Sequence, residues 1–306
     1  MNEIALLIAA TLSSGTPLAL AGLGLLINEK VGVVNLGAEG MMLIAAVVGF
    51  AAAFHSGSAT VAFAAAAAAG AVTAGLFGAL VIWLNTNQYA TGLAVSLFGG
   101  GFSAFVGVGY VGKTLEGRSM HSLPLLGDLP FVGPALFQQH PMVYLTILFT
   151  LAISLFFSRT RTGLVLRSVG ENPESAHALG YSVRWLRLAC VMAGGALCGL
   201  GGAYISVVYA PLWAEGMIAG RGWIALALTV FATWRAGRLL LGAYLFGGVT
   251  MLQLALQGAG VDVPSQFMSM LPYLATILVL VLISSNPQWI RLNMPSSLGK
   301  PFYPGR

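Results

Sequence analysis

Long apolar runs, separated by short polar breaks, make up most of this chain. They fall near Ile4 to Ile27, Leu36 to Phe54, Ala59 to Leu84, Tyr89 to Val111, Met142 to Phe157, Leu188 to Tyr209, Ile218 to Trp234, Leu239 to Leu256 and Phe267 to Ser284. Most are close to the roughly 20 residues that a helix needs to cross a bilayer. The pattern predicts an all-α, polytopic integral membrane protein with about nine transmembrane helices.

One polar interruption is much longer than the others, Arg159 to Arg187, reading RTRTGLVLRSVGENPESAHALGYSVRWLR. Within it Asn172 suits a helix N-cap, Pro173 the first helical position, Glu174 the positive end of the helix dipole, and Gly180 a left-handed C-terminal cap. The expected helix runs from Pro173 to Leu179. At about 1.5 Å per residue it is roughly 10 Å long, too short to be stable alone or to span a membrane. It must be held by its flanks or by a partner.

Composition agrees with the periodicity. Of 306 residues 58% are hydrophobic and 8% charged, which leaves too few polar groups to cover the surface of a soluble domain. The net charge of +5 is distributed at the ends of the apolar runs, which argues against a nucleic-acid partner. If the long loop is cytoplasmic and the spans alternate, the N-terminus is outside. Eleven of the 14 Lys and Arg residues then lie inside, leaving Lys113, Arg118 and Arg221 outside. The reverse orientation inverts that bias. The opening Met1-Asn2-Glu3 lacks the basic region of a signal peptide, so the first run is expected to remain as a span.

Small residues are frequent within the runs. Gly195 and Gly199 form a G-x-x-x-G spacing, and Ala64 to Gly70 is almost entirely alanine, as expected where helix backbones pack closely in lipid. Cys190 and Cys198, about 12 Å apart along one helix, cannot bridge each other and read as packing residues. The loop from Gly112 to Pro141 holds Pro124, Pro130 and Pro134 and reads as an outside segment.

No enzyme chemistry emerges. Gly107 to Thr114 matches G-x-x-x-x-G-K-T, the phosphate-cradling loop, but an apolar span precedes it where a strand is required, and the topology places it outside. His55, His121, His140 and His177 are isolated, so no metal site and no cofactor is indicated, and no nucleophile, base and acid cluster as catalytic residues.

Two apolar stretches are interrupted by glycines around a charge: Val34-Asn35-Leu36-Gly37-Ala38-Glu39-Gly40 and Ala219-Gly220-Arg221-Gly222-Trp223. Unwound backbone in a span is tolerated where it lines a cavity, so Asn35, Glu39, Arg221 and Trp223 are candidate substrate-pathway residues. Arg221, near the expected outer boundary, reads more simply as a helix anchor, whereas for Glu39 the two readings balance. The amides of Asn87 and Gln88 at the inner end of two spans either contact cargo or cap helices. A self-sufficient secondary transporter would need ion-coupling groups inside spans, and Glu215 and Asp262 offer little toward that.

Four stretches, VNLGAEGMML, NQYATGLAVSLFGGG, RSVGENPESAHALGYSV and GMIAGRGWIALALTVF, together resemble permeases of ABC importers for nucleosides, within the wider family of branched-chain amino acid and ribose-type permeases. Where relatives commonly carry a Gly-Arg-Trp-Asn-Pro type turn, this chain has Ala232 to Arg238 instead. The resemblance covers nearly the whole chain and implies a single transmembrane permease domain over residues 1–306, in a bacterial cytoplasmic (inner) membrane. It implies that Glu171 to Gly180 is a coupling helix, with Glu171, Asn172, Pro173, Ala176 and Gly180 meeting a cytosolic ABC ATPase. It further implies a second, different permease chain, an extracytoplasmic substrate-binding protein, and hydrolysis of ATP on a partner. The expected cargo is a nucleoside, with a simple sugar as the alternative.

Overall fold

A computed structural model describes residues 2–115, 133–259 and 293–303, with isolated positions between 264 and 281. The described part is helical, with helices α1 Asn2–Lys30, α2 Ala38–Ser56, α3 Ala59–Ile82, α4 Gln88–Gly107, α5 Pro141–Arg159, α6 Arg161–Glu171, α7 Pro173–Ala178, α8 Val183–Tyr204, α9 Arg221–Phe231 and α10 Ala236–Gly258. Seven of them, α1 to α5, α8 and α10, are long and apolar enough to cross a membrane. They coincide with seven of the nine expected segments. Most of the ninth, Phe267 to Ser284, lies outside the described residues, as do Pro124, Pro130 and Asp262 in the outer loops.

The expected full crossing from Ile218 to Trp234 is corrected. Its helix, α9, has 11 residues. Positive φ angles at Gly216, Ala219 and Gly220 break the backbone before it, and Thr233 and Trp234 adopt positive φ just after it. A helix of that length rises about 16 Å, roughly half the hydrocarbon thickness.

Helices α1, α2, α3 and α8 form the centre, and small residues let their backbones touch. A side chain at Gly70 would collide with Gly195 and Gly199, so the G-x-x-x-G face of α8 is the surface that α3 packs on. Gly24 on α1 meets Gly194 on α8 in the same way. Close approach multiplies dispersion contacts where lipid supplies no hydrophobic drive. Phe50, Phe77, Met41, Met42, Val191 and Cys198 fill the resulting core, and both cysteines are free and buried.

Several cations, among them Lys30, Arg167, Arg235 and Arg238, gather at one end. Buried Arg187 donates from Nε to the Val31 carbonyl at 3.0 Å and from Nη2 to Ser297 Oγ at 3.1 Å, tying α8 to the loop after α1 and to the carboxy-terminal segment. Ser297 Oγ donates to the Gly170 carbonyl at 2.6 Å, and the Ser296 hydroxyl donates to Glu171 at 2.7 Å. The indole of Trp234 donates to the buried Glu29 carboxylate, fixing the end of α9 at the end of α1. At the opposite end the Lys113 ammonium lies 4.7 Å from the Phe54 ring centre and 5.3 Å from that of Tyr110. The G-x-x-x-x-G-K-T letters thus follow a helix, α4, and its lysine rests on aromatic rings.

Helix α7 has the expected caps. Asn172 Oδ1 accepts from the Ser175 amide at 2.9 Å, Pro173 occupies the first position, and Gly180 has φ 89°. The preceding helix α6 was not anticipated. Thr160 caps it by accepting from the Gly163 amide at 3.0 Å, and it buries Gly163, Leu166, Val169 and Gly170.

Candidate functional site

The two glycine-interrupted stretches meet. After α1 the chain runs without regular secondary structure through buried residues 33–35 and turns into α2. Three side chains hold this break. Gln88 Oε1 accepts from the Val34 amide at 2.8 Å, Asn35 Oδ1 accepts from the Gly37 amide at 2.9 Å, and Ser96 Oγ donates to the Leu36 carbonyl at 2.8 Å. Each supplies a backbone partner that the interrupted helix cannot. Asn35 is fully buried and also points its amide at Met41 Sδ, 3.5 Å away. Asn87 serves the base of α4, its Oδ1 accepting from the amides of Tyr89 and Ala90 at 3.0 Å each.

Glu39, in the first turn of α2, reaches across to α9. Oε1 accepts from the Gly220 amide at 2.8 Å and Oε2 from the Gly222 amide at 2.7 Å. The carboxylate therefore caps a helix N-terminus, where free amides and the dipole both favour negative charge. Gly222 has to be glycine, because a Cβ there would lie 2.5 Å from the Glu39 backbone nitrogen and 2.6 Å from its Cα.

The meeting point lies at the start of α9. The far end of α9 is pinned at the inner end of α1 through Trp234 and Glu29, and α9 rises only about 16 Å from there. Arg221 is the first residue of α9, at the end away from Trp234. Its Nη1 donates to the carbonyls of Met217 and Ile218 at 3.2 and 3.1 Å, and the guanidinium lies 5.7 Å from the Tyr209 ring centre. It closes the turn before α9 and stacks on an aromatic ring. Trp223, two residues on, remains 36% exposed, enough for a ligand or partner to reach it.

Beside Arg221 is a cavity of about 220 Å³, lined by Ser14, Phe246, Thr250, Gln253 and Tyr273 among others. Phe246 and Tyr273 meet edge to face with ring centres 5.9 Å apart. Aromatic faces together with hydroxyl and amide groups fit a polar ring-shaped molecule. Sequence reading missed these residues. The available signal was Gln253, a lone amide inside an apolar run.

Helix α7 and the residues just after it differ in burial. Ala176 is buried at 2% exposure and holds α7 down, whereas Leu179 is 77% exposed and Tyr181 41%. Glu171 is engaged by Ser296, and Gly180 turns the chain.

Residues 7–283 match the family described as branched-chain amino acid transport system, permease component. Among curated proteins the chain is 39% identical to an ABC transporter permease of Haloferax volcanii whose name assigns it provisionally to glucose, over 97% of both chains. It is 32% identical to a nucleoside ABC transporter permease of Lactococcus lactis, over 92% of this chain and 93% of that one. It is 31% identical to a guanosine ABC transporter permease of Bacillus subtilis, over 99% of this chain and 98% of that one. No solved structure is a significant match. With its family match and seven apolar helices, this chain belongs to the branched-chain amino acid transport system permease family, as a multi-pass inner-membrane permease subunit of an ABC transporter and not an enzyme.

Proposed function

We propose that this subunit imports a nucleoside, with residues 1–306 acting as one permease domain. The observation that carries the reading is whole-length similarity to permeases named for nucleoside and guanosine. The cavity beside Arg221 is compatible with it, since Phe246 and Tyr273 offer ring faces to a base and Ser14, Thr250 and Gln253 offer partners to hydroxyl groups. A simple sugar is the second reading, favoured by the 39% identity to the relative assigned to glucose. The pathway residues of this proposal are Glu39, Arg221 and Trp223, with Asn35, Asn87 and Gln88 holding the helix breaks around them.

Helix α7 couples this pore to a cytosolic ABC ATPase. Leu179 and the turn at Gly180 are its contact surface, while Asn172, Pro173 and Ala176 hold it in place and Glu171 ties it to the carboxy-terminal segment. Closure of the ATPase pair pushes α7 and rocks the helices above it. The second permease of the pore is a different chain. Bacillus subtilis supplies a precedent, with two different guanosine permease proteins among the relatives. An extracytoplasmic binding protein delivers cargo. Uptake of labelled guanosine by cells expressing the full transporter tests the cargo: competition by unlabelled nucleosides and not by glucose is expected, and the converse pattern establishes the sugar reading.

A further inference from the structure

A large cleft lies at the inner end, and Glu39, Gly220 and Gly222 are not among its lining residues. Its volume is about 700 Å³, and it opens between α1, α5, α6 and α10. Its upper wall is apolar, from Leu26, Ile153, Phe157 and Leu241. Its lower wall is cationic, from Lys30, Arg167, Arg235 and Arg238.

Among the described residues, cations outnumber carboxylates around the cleft. Two carboxylates are near, Glu29 and Glu171, but Glu29 accepts from the Trp234 indole and Glu171 from Ser296. Among the described residues four cations thus meet two carboxylates, which leaves the cleft with more positive than negative groups. Lys30 feels repulsion from both Arg167 and Arg235, offset in part by attraction to Glu171 and Glu29. The Lys30 ammonium donates to the Asn293 carbonyl at 3.2 Å, and Arg238 Nη1 donates to Thr233 Oγ1 at 2.8 Å. These bonds aim the Lys30 and Arg238 groups toward one place. An anion placed there relieves the repulsion.

The apolar wall identifies the kind of anion. Leu241 is 71% exposed, and the adjoining face of α5 presents Leu148, Leu151 and Leu155, each 57% exposed. These residues lie on spanning helices, so the cleft opens sideways onto the acyl-chain region, with its cations at the level of the inner headgroups. A water-soluble anion would gain nothing from such a wall. A phospholipid gains from both parts, since basic pockets between spanning helices on the cytoplasmic side suit anionic headgroups.

We propose that this inner cleft binds an anionic phospholipid of the cytoplasmic leaflet, its phosphate among Lys30, Arg167 and Arg235 and its acyl chains along Leu26, Ile153, Phe157 and Leu241. The assignment needs the membrane orientation but not the identity of the cargo. A lipid seated there bridges α1, α5, α6 and α10, and so braces the support of α7 from the membrane side.

The test is native mass spectrometry of the full solubilised chain equilibrated with phosphatidylglycerol or phosphatidylcholine. The chain should retain phosphatidylglycerol preferentially. The double variant Arg167→Gln, Arg235→Gln should lose about thirtyfold in that retention, at on the order of 1 kcal/mol per cation near a lipid surface. Ser154→Phe narrows the cleft while keeping every cation, and should lower retention too. The charge-matched control Arg161→Gln, Lys300→Gln, at exposed positions outside the cleft, should leave it unchanged. Absence of any preference in the native chain, or full retention in both cleft variants, overturns the proposal. Complete displacement of the lipid by millimolar inorganic phosphate overturns it in favour of a free-anion site. Loss of ATPase capture with lipid retention intact overturns it in favour of a protein-docking surface.

Discussion

Glu39 Oε2 accepts from the Gly222 amide at 2.7 Å, joining residues 183 positions apart at the point where two interrupted helices meet. Together with the bond from Gly220 it makes one carboxylate the cap of α9. Movement of α9 relative to α2 must stretch or break these bonds, so Glu39 is placed to set the energy of any rearrangement there.

Glu39→Ala should leave the Gly220 and Gly222 amides without their acceptor, at about 2 kcal/mol or more for each charge-assisted bond lost. Cargo uptake should fall at least about tenfold, while capture of the ATPase subunit by the detergent-solubilised variant persists. Glu39→Gln, which keeps one good acceptor, should fall between the two. Wild-type uptake in the alanine variant would remove Glu39 from the working parts of the pathway.

Gly222→Ala should destabilise the junction by about 1–3 kcal/mol, because its methyl has no room against the Glu39 backbone. Gly100→Ala makes the matched comparison. That helical glycine has nothing within 4 Å of a prospective Cβ, and its replacement should be neutral or stabilising by about 0.5–1 kcal/mol. Thermal-shift measurements in detergent separate the two directly.

On the cytoplasmic face, Leu179→Asp should weaken ATPase capture and uncouple ATP hydrolysis from uptake, with the protein still inserted and folded. Leu179 projects from α7, being 77% exposed. A bulky residue at Ala176 should instead lower stability, since that methyl is buried beneath the helix. If Leu179→Asp couples normally, the contact surface of α7 lies elsewhere.

Arg187→Met should release the carboxy-terminal segment. It removes the donors to Val31, Ser297 and Lys300, and leaves a buried carbonyl unpaired at about 2 kcal/mol. Limited proteolysis should then cut near Ser297 sooner than in the native chain, and equal cutting rates would show that the segment is held by its other contacts.

Much of this architecture was legible as local pattern. The seven long helices follow from run length, and α7 follows from Asn172, Pro173 and Gly180 because caps are local chemistry. The glycine-bracketed charges pointed to Glu39 and Arg221, but sequence treated them as separate sites. Their juxtaposition depends on α9 being a half-length helix, and hydropathy cannot distinguish 11 helical residues from a full crossing when Ile218 and Trp234 extend the apolar run. The amides of Asn35, Asn87 and Gln88 were visible, whereas their partners, the amides of Gly37, Tyr89, Ala90 and Val34, are backbone groups that no side-chain motif announces. Helix α6 escaped because its basic residues masked the spacing of Leu166 and Val169.

The most direct test of the account is recovery of the chain from its native membrane in a gentle detergent, with identification of what accompanies it. Co-recovery of an ABC ATPase, a second and different permease chain and a substrate-binding protein, with ATP-dependent uptake after reconstitution, is the predicted result. Recovery of the chain alone, transporting in vesicles without ATP, would contradict the account.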